Sequence, residues 1–436
     1  MGYFAIITGF IILAVLSLLN INAVISAFTA AAAVVFLAGL PITDSLITVF
    51  FERFGVIAGS MFPMFLFGSI LAKIYTSSGA AHSIAETVGH YFFQNAKSEK
   101  QKYRQGFLSV ILSSAIICYG GINAAVALLT IYPIALSIFQ KAGIPKRFIM
   151  GAICGGAFTF ALSGPGSPQP TNVVAMVIGT SASVGFTAGI IGAVVEIIVM
   201  VSILTFLSIK AVEKGETFSL GPKDIIDSSN QQKIGFIRCL IPLIALLVMF
   251  NFLQLDISIA ILLSCIIAVI VFFPELKKEK ILYSANEGAF QALLPTMTIA
   301  GINGFAAVVQ AVPEYQSLLD GLLTSSLPPV LMLIMSISFI CMITGGSTTG
   351  TQIALPVITP VLTSLGLSLP FIHRVGVFAA TMLDSIPSSG AIIMAVNIAG
   401  LKMKEGYPPV FISTIIATTA GTIAVALTMT LLPMLP

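Results

Sequence analysis

The sequence predicts an all-α polytopic membrane protein made of two inverted-topology repeats, each pairing a re-entrant hairpin with a broken transmembrane helix. Three observations carry this prediction. Of the 436 residues, 57% are hydrophobic and only 8% are charged, too little charge to keep a soluble domain dispersed. Apolar runs of about 20 residues, enough to cross roughly 30 Å of hydrocarbon as a helix, recur along the chain. Four of these runs are interrupted by glycine, proline and hydroxyl residues at matching places in the two halves. The alternating pattern of barrel strands is missing, and backbone amides cannot stay unpaired in lipid, so the segments are helices.

The first unit, residues 1–95, reads as scaffold with spans at 3–19, 22–40 and 56–75 and an amphipathic interfacial segment at 77–93. The opening run lacks a basic start and an Ala-x-Ala-like cut, so it reads as a span rather than a leader. Residues 96–209 form the first repeat. Two short arms, 105–118 and 124–140, flank Cys118-Tyr119-Gly120-Gly121-Ile122-Asn123, the signature of a re-entrant hairpin. A helix entering from Phe148 is then broken across residues 163–172, resumes at 173–179 and is followed by a return span at 185–209.

Residues 210–235, rich in Lys, Glu and Asp, form a linker. The unit 236–327 supplies scaffold spans at 236–253 and 255–273, a basic turn at 274–280, a span from about Ala289 and an acidic external segment at 313–320. Residues 328–436 repeat the earlier pattern upside down. Arms at 328–343 and 352–365 bracket residues 344–351, a helix breaks at 384–390, and a last span covers 410–432.

Charge supports the trace. Only Arg53 and Arg374 of the 20 lysines and arginines fall on the external side, so the linker is cytoplasmic and the C-terminus external, in a bacterial inner membrane. Gly120-Gly121 answers Gly345-Gly346, Arg147 answers Arg374, and Pro165 answers Pro387 at nearly constant separation. A net charge of +3 points to no nucleic-acid partner. The five scattered cysteines read as small core residues, with no metal-ligand spacing.

Paired interruptions in inverted halves are the mark of a secondary transporter. Freed helix-end amides suit a carboxylate, and freed carbonyls suit a cation. The candidate substrate-binding residues are Gly120, Gly121 and Asn123 at the first tip and Ser163, Gly166, Ser167, Gln169, Thr171 and Asn172 at the first break. In the second half they are Thr344, Gly345, Gly346, Ser347, Thr348 and Thr349 at the tip and Ser385, Ser388 and Ser389 at the break. Singly, each serves packing or capping as readily as ligand contact; as clusters they favour a site. Asp384 is the candidate cation-coupling residue, because an ionised carboxylate at mid-membrane costs roughly 2.5–3.5 kcal/mol on insertion scales. Its competing role is an N-cap for the half-helix after Pro387. Glu196, outside any break, reads as a satisfied or protonated residue at a helix or subunit interface. His373 and Arg374 read as external anchors, and His82 and His90 as solvated.

The strings Pro165-Gly166-Ser167-Pro168-Gln169 with Asn172, Thr344-Gly345-Gly346-Ser347, and His373-Arg374 followed by residues 383–391 resemble the gluconate permease (GntP) family over nearly the whole chain. The resemblance implies a dimeric elevator-type carrier of the ion transporter superfamily that moves sugar acids, hydroxybutyrate or citrate-like anions with a proton or sodium ion. Many relatives carry histidine where this chain has Ser388, and the first break lacks the Pro-Pro-x-Pro-Gly-Pro style of the gluconate carriers. The resemblance therefore points to short hydroxy acids such as 3-hydroxybutyrate. The expected partners are a small organic anion, the bilayer and a second copy of the chain, with no cofactor beyond the co-transported cation. A di- or tricarboxylate carrier is the alternative within the class. A cation/proton antiporter needs paired buried carboxylates, for which only Asp384 and Glu196 qualify. A membrane-embedded enzyme acting on lipids needs acid, base or metal residues gathered at one interface, and no catalytic motif or phosphate-binding loop is found.

Overall fold

The structure, a computed structural model, describes residues 1–19, 21–93, 98–122, 124–221, 224, 234–276, 278–315, 317, 327–387 and 389–432. All regular elements among them are helical. Helices α1 (Gly2–Leu18) and α2 (Ala23–Ala38) pack together, and the Asn22 side chain caps α2 by accepting from the Val24 amide at 2.9 Å. A π-helical turn, Asp44–Phe50, leads straight into α3 (Phe51–Ser78). This span was expected to begin at 56. Residues 42–54 contain neither glycine nor proline, so nothing stops the helix from reaching back to Asp44. Helix α4 (Ala80–Phe93) packs its buried Ala81, Ile84 and Ala85 side toward the interior.

Helices α5 (Glu99–Tyr119) and α6 (Ala124–Ala142) pack against each other across a short turn and make the first hairpin. A 3₁₀ turn, Lys146–Phe148, opens α7 (Ile149–Ala157), which packs tightly on α5: a Cβ at Gly156 would stand 2.1 Å from the Ile111 carbonyl oxygen. The chain leaves the helix at Phe158 and Thr159, makes one turn as α8 (Phe160–Ser163), and runs unwound through residues 164–169. It restarts as α9 (Pro170–Ala175) and ends in a 3₁₀ turn, Met176–Ile178. The break thus starts before the expected 163. It also ends before 172, because Pro170 sits at the first helical position, where its missing N–H costs nothing.

Helix α10 (Phe186–Glu213) continues past the expected end of its span, so Lys210 and Glu213 are helical rather than linker. Most of the linker lies outside the described residues. Helices α11 (Phe236–Asn251) and α12 (Ile257–Val271) follow. Helix α13 (Lys278–Gln310) begins well before Ala289: the charges of residues 278–287 exclude them from a hydrophobic span, but most are good helix formers. It packs along α3 in the most extensive helix pairing of the fold. The acidic segment at 313–320 lies partly outside the described residues.

Helices α14 (Pro329–Thr344) and α15 (Ser347–Ser364) form the second hairpin. Its tip is only Gly345-Gly346; residues 347–351, expected in the tip, are helical, with the Thr351 hydroxyl donating to the Ser347 carbonyl at 2.6 Å. Helix α16 (Leu369–Ala380) then unwinds at Thr381, earlier than the expected Asp384, and restarts as α17 (Gly390–Ile398). Helix α18 (Met403–Phe411) passes through a π turn, Ile412–Ile416, into α19 (Ala417–Leu431), so the last long apolar helix begins near 403 rather than 410.

Large apolar side chains such as Ile198, Ile244, Ile270, Phe290, Leu294 and Phe339 face outward, the reverse of a water-soluble protein. Four helices among the described residues, Asp44–Ser78, Phe186–Glu213, Lys278–Gln310 and Met403–Leu431, have the length and hydropathy to cross a bilayer. All five cysteines are buried and free, as the sequence predicts.

The base of the first broken helix is tied to the linker. Lys146 pairs with Asp224 at 2.6 Å, and Asp224 also accepts from the Tyr132 hydroxyl at 2.7 Å and the Gly221 amide at 2.6 Å. Burial by itself would raise the Asp224 carboxyl; the bonds from Lys146, Gly221 and Tyr132 outweigh it and hold the group below its ordinary value. Its carboxylate therefore stabilises the fold above the ordinary aspartate value of about 3.9, and this contribution fades as pH falls through the lower folded value. Asp224→Asn is expected to cost about 2 kcal/mol at pH 7, between an exposed and a fully buried pair. Melting of the solubilised protein reads this out, and the gap to wild type closes below about pH 4.

Candidate functional site

Unwinding a helix leaves amides and carbonyls without partners, so the two breaks can be followed by asking what satisfies each group. At the first break the answer comes largely from side chains that sequence reasoning placed elsewhere. Arg374, in the middle of α16 and fully buried, donates Nε to the Val184 carbonyl (2.8 Å), Nη1 to the Ser163 carbonyl (2.5 Å) and to Asn172 Oδ1 (3.3 Å), and Nη2 to the Ala182 carbonyl (2.8 Å). A resident guanidinium fills the carbonyl-rich end of this break. His373 is buried too: Nε2 lies 3.0 Å from Asn172 Oδ1 and Nδ1 lies 2.5 Å from the Thr180 hydroxyl.

Asn172 closes this network. Its Nδ2 donates to the Ser167 carbonyl at 2.8 Å and the Ala182 carbonyl at 3.1 Å, which leaves Oδ1 to accept from both His373 and Arg374. That assignment puts a hydrogen on His373 Nε2 and makes Nδ1 the acceptor for Thr180. The expected role of His373 and Arg374 as external anchors is thus corrected: both are internal and join the second half of the chain to the first break. Ser163, Ser167 and Asn172 accordingly serve the architecture of the break. The Ser167 hydroxyl donates to the Ala161 carbonyl at 2.5 Å, while the buried Ser163 hydroxyl has no hydrogen-bond partner.

The restart of the helix at Pro170 sits between the two hairpin tips. On one side Gln169 Nε2 donates to the Cys118 carbonyl at 2.5 Å and the Ile122 carbonyl at 3.2 Å, tying break to first tip. Gly121 takes φ +91°, a left-handed turn open to glycine, and lies over Pro168. On the other side the Thr171 hydroxyl meets those of Ser347 (3.1 Å) and Thr348 (2.9 Å) at the start of α15. The N-termini of α9 and α15 therefore face one another.

The second break converges on the same tip. Asp384, nearly buried, accepts from the Ser385 hydroxyl at 2.7 Å, and the hydroxyl and backbone amide of Ser347 are directed toward it. Its carboxylate thus faces the amide end of α15. It does not cap its own half-helix: the N-cap of α17 is Ser389, and Asp384 lies too far upstream to reach the second or third amide of that helix. Ser389 instead donates to the Gly345 carbonyl at 3.2 Å, and the Tyr407 hydroxyl donates to the Ser385 carbonyl at 3.2 Å.

Gln169, Thr171, Gly121, Gly345, Ser347, Thr348, Asp384, Ser385 and Ser389 are thereby brought together. Thr349 is buried one turn into α15, Gly346 is its N-cap, and Gly120 packs under Leu243 of α11. Gly166 takes φ +75° and its carbonyl accepts from Asn251 at the end of α11 (3.0 Å). Asn123 and Ser388 lie outside the described residues, as does the side chain of Thr344. Sequence reasoning missed Asn251, Tyr119, whose hydroxyl donates to the Pro165 carbonyl, and the buried pair Asn303–Gln352 (2.5 Å) joining α13 to α15. A cavity of about 30 Å³, room for one water, separates Met64, Gly68 and Ile261 from Gly121 and Gln169. Among the described residues no cluster of ligands suits a metal ion.

A family described as GntP family permease matches residues 2–251, more than half of the chain. The chain belongs to the GntP permease family. It is 27% identical over 424 residues to YxjC of Bacillus subtilis (strain 168), an uncharacterized transporter, across 86% of this chain and 87% of that one. An uncharacterized transporter of Haemophilus influenzae is 24% identical over 328 residues, covering 74% of this chain and 73% of its own. The YdaH transporter of Alcanivorax borkumensis, whose crystal structure has an unusual topology, shares the fold with TM-score 0.54 and 14% identity over 89% of each chain. This GntP permease is accordingly a multi-pass membrane transporter and not an enzyme.

The guanidinium fork makes a direct test. Arg374→Lys keeps the charge but cannot reach four acceptors at once, and each lost hydrogen bond to a charged group costs about 1.5–3 kcal/mol. Its melting temperature is expected to drop by several degrees and its transport rate at least tenfold. Unchanged melting would show that the fork does not hold the break.

Proposed function

We propose that this permease takes up a small organic anion, a hydroxy-monocarboxylate of the 3-hydroxybutyrate or gluconate kind, in symport with a cation, a proton before sodium. The observation that supports this is that Asp384 faces the start of α15, where Thr171 meets the hydroxyls of Ser347 and Thr348. A helix N-terminus attracts anions. A cargo carboxylate and an ionised Asp384 would compete for the same amides. Neutralising Asp384 with a proton frees those amides for the cargo, so the two ligands load together, which is the thermodynamic content of symport. Arg374 leaves the first break positively biased and closed to a cation, which concentrates cation binding at the second.

Residues 96–209 and 328–436 act as inverted repeats that form the moving body, with 1–95 and 236–327 as scaffold in an elevator-type homodimer. The 210–235 linker lies in the cytoplasm and the C-terminus outside. The tight cavity at Met64 and Gly121 fits an occluded state between scaffold and moving body. A di- or tricarboxylate cargo would need further cationic donors at the second tip, and among the described residues the tip offers hydroxyls and amides.

Reconstituted protein with an imposed inward proton gradient is expected to concentrate labelled 3-hydroxybutyrate, with gluconate, lactate, citrate and succinate ranked by competition. Accumulation of none of these acids under either a proton or a sodium gradient would refute the symport reading. Asp384→Asn is expected to stay inserted, to bind cargo with an affinity that no longer varies with pH, and to lose accumulation. Wild-type coupling in that variant would return Asp384 to a structural role.

A further inference from the structure

Glu196 lies in the middle of α10, a helix with no break, and it is fully buried. Both carboxyl oxygens lack a hydrogen-bond partner. The Phe160 amide at the start of α8 is directed toward the group, yet neither oxygen completes a bond to it. Across from it is Gly421 of α19, where a Cβ would stand 2.7 Å from Oε1 and 2.5 Å from Cγ. The absence of a side chain at 421 is what makes room for the carboxyl. One face of α10 lines an apolar cleft of about 510 Å³ with Ile190, Ala193, Val194 and Ile197; Glu196 is turned away from it, into the contact with α19.

Among the described residues no neighbouring element supplies a counter-charge. Helix α19 and the π turn before it carry no titratable residue, α8 none, and α7 only Cys154. Helix α5 brings Cys118 and Tyr119 at its tip, and its charged residues Glu99, Lys100, Lys102 and Arg104 stand at its far end. On α10 itself Lys210 and Glu213 are at the C-terminal end. Arg374 of α16 packs on Gly189, two turns from Glu196, with His373 beside it, and both are committed to the first break. An ionised carboxylate enclosed here, with no completed hydrogen bond and no cation beside it among the described residues, would cost many kcal/mol. The contact fits the neutral acid.

We propose that Glu196 is a second proton-binding site, a latch between α10 and α19 that keeps the two halves of the chain closed while protonated and must release its proton for the unloaded carrier to return. This builds on the symport reading but concerns a different carboxyl, in the α10–α19 contact. Deprotonation would place a bare charge in the α10–α19 contact. That contact must then open to water, so proton occupancy is coupled to conformation rather than to cargo affinity. Glu196→Gln keeps the shape of the acid and should stay folded.

Two measurements test the proposal. In infrared spectra of the reconstituted protein at neutral pH, wild type and Asp384→Asn are expected to share a buried carboxylic-acid band that is missing from Glu196→Gln; an identical spectrum in Glu196→Gln overturns the assignment. In transport, Glu196→Gln is expected to exchange labelled for unlabelled 3-hydroxybutyrate at near wild-type rate and to retain the pH dependence of cargo affinity, but to lose accumulation under a proton gradient. Wild-type accumulation would make the residue structural and overturn the latch. The infrared arm needs no cargo. A wild type that accumulates no acid therefore refutes the symport reading, while the band still decides whether Glu196 carries the proton.

Discussion

A backbone amide or carbonyl that water cannot reach must find a partner inside the protein, and leaving one unmet costs about 1–3 kcal/mol. This constraint organises the whole chain. Two helices are opened within the fold, and several contacts between distant segments meet the groups so exposed. Gln169 reaches back to the first tip, Asn172 and Arg374 gather the carbonyls at 163, 167, 182 and 184, Ser389 reaches the second tip, and Tyr119 and Tyr407 each take a carbonyl from a break. Arg374 comes from the other half of the chain, so the first break also ties the two halves together.

The two breaks are satisfied unequally. The first contains its own cation, a guanidinium spread over carbonyls that would otherwise invite one. The second holds a carboxylate facing the amide end of a hairpin helix. A permanently charged arginine is a fixed fitting, whereas a carboxylate can change charge in response to its surroundings. In the proposed symport the responsive chemistry of the pair falls on the second break, next to the tip where Thr171 crosses from the first half. Helices α11 and α13 reach these regions through Asn251 to Gly166 and Asn303 to Gln352.

Much of this was legible in the sequence because glycine and proline interrupt apolar runs so rarely without reason. The hairpins and the two breaks follow from Gly120-Gly121, Gly345-Gly346, Pro165 and Pro387. Element edges were less legible, since hydropathy marks where lipid ends and not where a helix does, as the early starts of the helices at Asp44 and Lys278 show. Arg374 was misplaced for a related reason: counting positive charges assigns an arginine to a loop. A local signal was present, for Ser368 caps α16 and Pro370 sits in its first turn, which puts Arg374 inside the helix. The partners of Asn251, Tyr119 and Tyr407 are set by tertiary approach, and no local pattern announces them.

The first break and the second tip face each other inside one chain, with Thr171 against Ser347 and Thr348. Site-directed cross-linking tests this most directly, with Thr171→Cys and Thr348→Cys introduced together after the five buried native cysteines are replaced. Mild oxidation of this protein in membranes should give an intramolecular disulfide, which reduction reverses and which neither single variant forms. Failure to cross-link under conditions that oxidise a control pair across the α5–α6 turn would contradict the account.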